Sequence, residues 1–226
     1  MEGKMKRKLS LAFIVIAMCS LPNIAEAQGQ STDIPKFEVG ADFTTITFGA
    51  GQSELGLGGR LTYNLNKHVA LEGTGFFFPR ECHFCARGND GRITEGLFGV
   101  KVGKRFEKWG IFGKARPGVI SFSQGKFDLV PTTGIPATGV GAFPFDFQFE
   151  RLTTLAFDVG GVVEFYPSKR IVTRLDFGDT IIHYGPRTFN NPVFNSTTST
   201  YTLAPSTVPS QTRGSFQVSV GVGWRF

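Results

Sequence analysis

Long apolar runs are nearly absent from this chain. The longest, Leu9 to Leu21, has 13 residues, short of the roughly 20 that a spanning helix needs. A basic start (Lys4, Lys6, Arg7, Lys8) precedes it, and the small residues Ala25 and Ala27 follow it just before Gln28. That order predicts a secretory signal peptide over residues 1–27, and hence an exported protein with no transmembrane helix after cleavage. Acylation at Cys19 is disfavoured, since Met18 is bulky where such a site wants a small residue. Basic tracts are missing too. The chain carries a net charge of +6, which falls to +4 once residues 1–27 are removed, leaving 20 Lys and Arg against 16 Asp and Glu. Without a Lys/Arg-rich run there is no footprint for nucleic acid. Histidine and cysteine number three each, which leaves little material for a metal centre or a His-based catalytic site; no cofactor is expected.

What is abundant is glycine (29) and phenylalanine (24), and from residue 36 onward the apolar residues alternate with polar ones. Period-two alternation marks half-buried strands. Eight segments show it, near 36–48, 55–65, 68–79, 93–106, 108–122, 154–166, 170–183 and 214–226, most of them 11 to 15 residues long. That exceeds the usual soluble strand of about 5 or 6 residues and suits a tilted bilayer crossing of about 9–11 plus extensions. Tight turns at 64–67, 106–108 and 166–169 alternate with longer segments at 49–54, 80–92, 123–153 and 184–213. Short turns at one end and long loops at the other describe an up-and-down antiparallel barrel, periplasmic at the short-turn end and extracellular at the other. The expected organisation is a signal peptide (1–27), a short segment (28–35) and one all-β, eight-stranded transmembrane barrel (36–226).

The last strand separates its faces completely: Phe216, Val218, Val220, Val222, Trp224 and Phe226 alternate with Gln217, Ser219, Gly221, Gly223 and Arg225. In the first strand Ile46 and Phe48 leave the register of Phe37, Val39 and Phe43, which predicts a bulge or the entry to a loop there. Extending the alternation places Glu38, Asp42, Arg60, Glu72, Glu95, Lys101, Arg105, Lys114, Arg116, Asp158, Glu164, Arg174, Asp176 and Arg225 on one face. A soluble lipocalin-type barrel would have an apolar interior, so this charged face is read as the lumen and the apolar face as the lipid side, where a Lys or Arg near the midplane costs about 2–4 kcal/mol. Trp109, Trp224, Phe106, Phe165, Tyr166 and Phe226 are expected to form an aromatic girdle at the periplasmic ends.

The fourteen lumenal charges divide into seven basic and seven acidic, and an eight-stranded barrel has just enough interior for side chains to fill. A mutually paired network is therefore expected, with Arg60, Arg105, Arg116, Arg174 and Arg225 meeting Glu72, Glu95, Asp158, Glu164 and Asp176. The alternative use of the same charges is a selectivity filter. Glycines on this face (Gly58, Gly99, Gly103, Gly160, Gly178, Gly221, Gly223) are expected to make room for long Arg and Lys side chains.

With its eight strands, its alternating loop lengths and the closing sequence Gly221-Val222-Gly223-Trp224-Arg225-Phe226, the chain resembles the small outer-membrane barrel family that includes the OmpA transmembrane domain, OmpX and the opacity-type surface proteins. The resemblance spans 36–226. It implies that Phe216, Val218, Val220, Val222, Trp224 and Phe226 form the signal read by the barrel-assembly machinery. It also implies an outer-membrane address, lipid as surroundings and a monomeric state.

Cys82-His83-Phe84-Cys85 lies in a long loop. In an oxidising compartment a local Cys82–Cys85 disulfide is the first reading; a zinc site has too few ligands. A lipid-modifying enzyme would have to be built on His183, the histidine at the outer end of strand seven, with a serine in reach. Residues 123–153, with Phe143, Phe145, Phe147 and Phe149 alternating with Pro144, Asp146 and Gln148, are read as a hairpin extension of strands five and six or a fold over the mouth. Residues 184–213, rich in Ser, Thr and Pro, are read as solvated and mobile. These two loops are the candidate contacts for an extracellular ligand. The expected function is structural or surface-binding, with a narrow porin-like channel as the alternative and a lipid-modifying enzyme as a more remote one.

Overall fold

In the computed structural model, residues 34–49, 51–83, 89–132 and 144–226 are described. The expected signal peptide and most of segment 28–35 lie outside them, as do Cys85 and Phe143. Ten strands form: β1 (Phe37–Thr47), β2 (Ser53–Asn64), β3 (Val69–His83), β4 (Asn89–Arg105), β5 (Trp109–Pro131), β6 (Phe145–Phe165), β7 (Ile171–Tyr184), β8 (Arg187–Asn195), β9 (Thr200–Val208) and β10 (Gln211–Arg225). Eight of them close a barrel in the order β1-β10-β7-β6-β5-β4-β3-β2, while β8 and β9 pair only with each other. Closure between the first and last barrel strands runs from Glu38↔Arg225 to Thr47↔Phe216. Beyond it, Phe37 and Phe226 exchange both backbone bonds at 2.9 Å. A closed sheet leaves no barrel strand with an unpaired edge.

The alternation observed in sequence is the alternation of the wall. Phe43, Leu55, Phe98, Leu155 and Val220 are among many large apolar side chains exposed on the outside, Phe43 at 76% and Leu155 at 68%. Apolar patches of that extent belong against lipid or a partner, not water. At the short-turn end Phe106 stacks on Trp109 at 4.1 Å and Phe37 packs on Tyr63 at 5.0 Å, with Phe165, Trp224 and Phe226 exposed nearby. Tyr166 does not join them. Two residues beyond the inward Glu164, it follows the same parity and is buried, 7% exposed.

Of the bulge or loop entry expected in the first strand, the bulge is absent, since β1 pairs without a register shift on both sides, and β1 ends at Thr47, just before Phe48. Ile46 and Phe48 are fully inward because the interior itself changes character along the axis. At the long-loop end it is apolar, a cluster of Ile46, Phe48, Phe76, Phe78, Cys82, Ile93, Leu97, Ile120, Phe122, Ala156, Ile182 and Tyr184. The lumen is thus charged below and mainly apolar above, with Glu54 buried beside Ile46, where the sequence predicts charge alone.

Three of the long connections carry strand. β3 and β4 extend through 80–83 and 89–92 past register shifts. β5 and β6 continue past a shift between Phe122 and Lys126, pairing from Lys126↔Glu150 to Pro131↔Phe145. Residues 184–213 are not a mobile loop: β8 and β9 form a hairpin from Arg187↔Val208 to Asn195↔Thr200. It packs on the β5 extension, with Phe127 and Phe189 5.3 Å apart, and Asp128 accepts from the Asn190 backbone N–H at 2.9 Å.

Candidate functional site

The charged zone of the lumen is assembled from seven of the eight barrel strands with an ion-pairing residue and one, β10, that contributes Arg225. All fourteen of the expected charged residues lie on the inward parity; thirteen are buried and Arg105 is half-buried. The wall works because each strand places one or two of them at a level that its neighbours share, so that Arg116 and Asp158 sit directly opposite in the β5–β6 register.

Glu72 is the hub. On β3, it receives Arg116 Nη1 at 2.7 Å and Arg174 Nη2 at 2.8 Å, pairs with Arg174 Nη1 at its other oxygen, and lies 3.8 Å from Lys101. Arg116 also reaches Asp158 at 2.6 Å and Asp176 at 3.4 Å. Lys114 joins Asp158 at 3.0 Å and Asp176, and Lys101 and Arg105 converge on Glu164. A second, smaller group sets Arg60 between Asp42 at 2.5 Å and Glu38 at 3.3 Å. Ion pairs out of water are tolerable when both members are paired, and the shared carboxylates supply those pairs, while Glu38 Oε2, Asp42 Oδ2, Arg60 Nε and Arg174 Nε stand buried without a hydrogen-bond partner.

Partners differ from expectation in three places. Arg60 pairs with Glu38 and Asp42 on its neighbour β1. Glu95 faces Gln217, whose side-chain amide donates to it at 3.0 Å and to the Thr44 hydroxyl at 3.1 Å. Arg225 donates to the Ser168 carbonyl at 3.0 Å and lies over the Tyr166 ring at 4.3 Å. Both lysines, left out of the expected pairing, join it with two ion pairs each, against three each for Arg116 and Arg174. Tyr166 is the residue that sequence reasoning misplaced: its hydroxyl donates to Glu164 at 2.8 Å and accepts from Arg105 Nε at 2.9 Å. Burial, and then the Glu164 carboxylate beside it, push its phenol above the usual value, so the proton stays to make that bond.

Inward glycines do less for the charges than expected. A Cβ at Gly99, Gly103 or Gly160 would lie about 2 Å from a carbonyl oxygen of the adjacent strand, so these positions let neighbouring backbones approach closely. Of the seven expected, Gly221 and Gly223 have a charged group in the way, at Asp42 and Arg60, and Gly40 likewise meets Arg60.

Among the described residues the histidines and cysteines form no centre. His183 Nδ1 meets the Thr212 hydroxyl at 3.0 Å on the outer wall, and His68 Nδ1 meets the Gly103 carbonyl at 2.9 Å at the short-turn end. Cys82 is buried and disulfide-bonded; its expected partner Cys85 lies outside the described residues. Among the described residues no three His, Cys, Asp or Glu side chains are grouped to hold a metal.

No protein-family model and no curated protein matches the chain. Solved structures do. The outer membrane protein OprG from Pseudomonas aeruginosa is 10% identical, with 85% of this chain and 96% of that one covered at a TM-score of 0.49. Neisserial surface protein A is 14% identical over 84% of this chain and 97% of its own, at 0.44. Ail, the attachment invasion locus protein of Yersinia pestis, is 12% identical over 84% and 96%, at 0.41. The fold assignment rests on this chain's own strand order and closure.

Proposed function

We propose that this chain is a bacterial outer-membrane barrel that does not conduct, and whose work is structural or done by the surface it presents at the long-loop end. The observation that carries it is the pairing of Glu72 on β3 with Arg174 on β7. In the strand order of the barrel these two are opposite, with three strands between them on either side, so the contact spans the lumen. Above it the apolar cluster fills the same interior. A largely apolar exterior, broken on the outward parity by Asp179 and Lys104, with most wall charges turned inside is the arrangement that a bilayer requires of a spanning barrel.

Export by residues 1–27, insertion as a monomer and recognition of Phe216, Val218, Val220, Val222, Trp224 and Phe226 by the assembly machinery complete this reading. All but Val218 of those six are exposed on the outer wall, where another protein can read them. The β5–β6 extension and the β8–β9 hairpin are the parts that reach beyond the barrel, and Phe147, Phe149 and Phe194 are exposed on them. These are where an extracellular partner is to be sought. No catalytic role is assigned, since His183 meets Thr212 and no serine.

Single-channel recording of the refolded barrel in a planar bilayer tests the reading, in wild type and as Arg116→Ala. Silence from the wild type is expected. A stable conductance that Arg116→Ala alters would make the protein a narrow porin with Arg116 in its pathway.

A further inference from the structure

The short-turn end of the barrel carries charge of one sign. Lys36 stands just before β1, Lys67 in the β2–β3 turn, Lys108 in the β4–β5 turn, and Lys169 and Arg170 in the β6–β7 turn, all exposed. In the strand order of the barrel these positions go round the whole mouth. Against them, among the described residues, stands one exposed acid at this end, Glu107. None of the five cations has an ion pair. Nor does the interior cancel them from behind. Glu38 and Glu164 are committed to Arg60, Lys101 and Arg105, and Arg225, which forms no ion pair, keeps its Nε buried without an acceptor. The long-loop end is mixed, with Glu81, Asp146 and Glu150 among its exposed cations.

We propose that this ring is a docking surface for an acidic, extended polypeptide segment on the short-turn side of the membrane. The inference rests on the membrane reading above and gives its structural half a partner. The turns hold the cations on fixed backbone. His68 and Val69 donate their N–H groups to Asn66 Oδ1 at 2.8 and 2.9 Å. Arg170 and Ile171 donate theirs to Ser168 Oγ at 3.3 and 3.1 Å, and Phe106 donates to the Trp109 carbonyl at 2.7 Å. Unpaired charges of one sign on a common face draw in a partner of the other sign.

Spacing decides the kind of anion. The cations sit on separate segments around a mouth, so a single small anion meets one or two of them. A chain with a carboxylate every residue or two, at roughly 3.3 Å per residue, can follow the ring and engage several at once. Leu65, 54% exposed on the same turn as Lys67, offers an apolar contact that a peptide side chain covers and a sugar polymer covers poorly. The lipid side of this end has a cation of its own, since Lys104 lies on the outward parity with Nζ 5.2 Å over the Phe106 ring. All five ring cations lie outside the strands, whose ends carry the girdle residues Trp109, Phe165 and Trp224.

The test is fluorescence anisotropy with the full mature barrel in nanodiscs of neutral lipid, using a short labelled peptide of Asp, Glu and Leu or its Asn, Gln and Leu counterpart. The acidic peptide is expected to bind about tenfold tighter, a margin that shrinks as salt rises from about 0.1 to 1 M. Lys67→Gln/Lys108→Gln/Lys169→Gln/Arg170→Gln should lose the margin. Arg80→Gln/Lys126→Gln/Arg151→Gln/Arg213→Gln, which removes as many charges from the long-loop end, should keep it. Equal binding of the two peptides would overturn the proposal, as would a margin that survives in the ring variant or disappears in both variants. The margin should also persist in discs of anionic lipid. Its loss there would overturn the proposal in favour of headgroups, and complete displacement of the peptide by peptidoglycan sacculi would do so in favour of a wall polymer. Both variants are first checked for the heat-resistant compact band of a folded barrel. A wild type that stays folded and soluble without detergent or lipid would instead overturn the membrane reading, whatever it binds.

Discussion

Glu72 and Arg174 meet across the barrel through two hydrogen bonds, although 102 residues separate them in sequence. Each oxygen of Glu72 has a cation of its own, because Arg116 and Lys101 approach from β5 and β4. Removing this one carboxylate leaves three cations with reduced compensation in the interior. Glu72→Gln is therefore expected to cost about 3–5 kcal/mol, the range for breaking a buried pair by removing one partner. Urea unfolding of the barrel in micelles measures it. Arg225→Gln, which removes no ion pair, should cost clearly less. Equal losses would mean that the network is not centred on Glu72.

The wall of the barrel was readable in sequence wherever its two faces differ in polarity. β10 is the clearest case, since Phe216, Val220, Val222 and Trp224 face out while Gln217, Ser219 and Arg225 face in. Ile46 and Phe48 defeat the same rule because the interior there is apolar, so the polarity inverts, with Ile46 and Phe48 inside and Thr45 and Thr47 on the outer parity. Partner choice was less accessible still. Arg60 takes Glu38 and Asp42 because β1 and β2 are neighbours and Gly40↔Arg60 fixes the level, a matter of register that composition does not state. The β8–β9 hairpin left a signal that was passed over. Thr188, Phe189, Val193, Phe194, Tyr201 and Thr202 are strand formers, but Ser, Thr and Pro between them also match the composition of a solvated loop. Parity with Glu164 would have placed Tyr166 inside.

The apolar end of the lumen makes a prediction that separates it from the lipid face. Phe122 is fully buried among Phe48 at 6.1 Å and Tyr184 at 6.1 Å, whereas Phe157 lies 41% exposed on the outer wall. Truncating Phe122 leaves a cavity whose lining cannot collapse inside a closed sheet, so Phe122→Ala is expected to cost about 3–5 kcal/mol. In detergent, a tail can fill the space left by Phe157→Ala, and its cost should be smaller. Equilibrium unfolding of the two variants in the same micelle compares them directly. A larger loss at Phe157 would mean that the exterior, not the apolar cluster, holds this end together.

Asp128 ties the β8–β9 hairpin to the β5 extension. One of its oxygens accepts from the Asn190 backbone N–H at 2.9 Å, and the other from the Asn190 side-chain amide at 3.3 Å. Around it stand the Phe127–Phe189 contact, the Arg187 bond to Gly125 and the Phe145–Tyr201 contact between β6 and β9. A hydrogen bond to a charged group contributes about 1.5–3 kcal/mol, so Asp128→Ala should raise amide exchange at Asn190 and along β8 by roughly tenfold to a hundredfold. Exchange in β1, β7 and β10 should be unchanged, because none of their pairing passes through the extension. Hydrogen exchange read by mass spectrometry resolves the two regions. Faster exchange in the barrel as well would show that the hairpin stabilises the wall; unchanged exchange in β8 would leave the aromatic contact as what holds it.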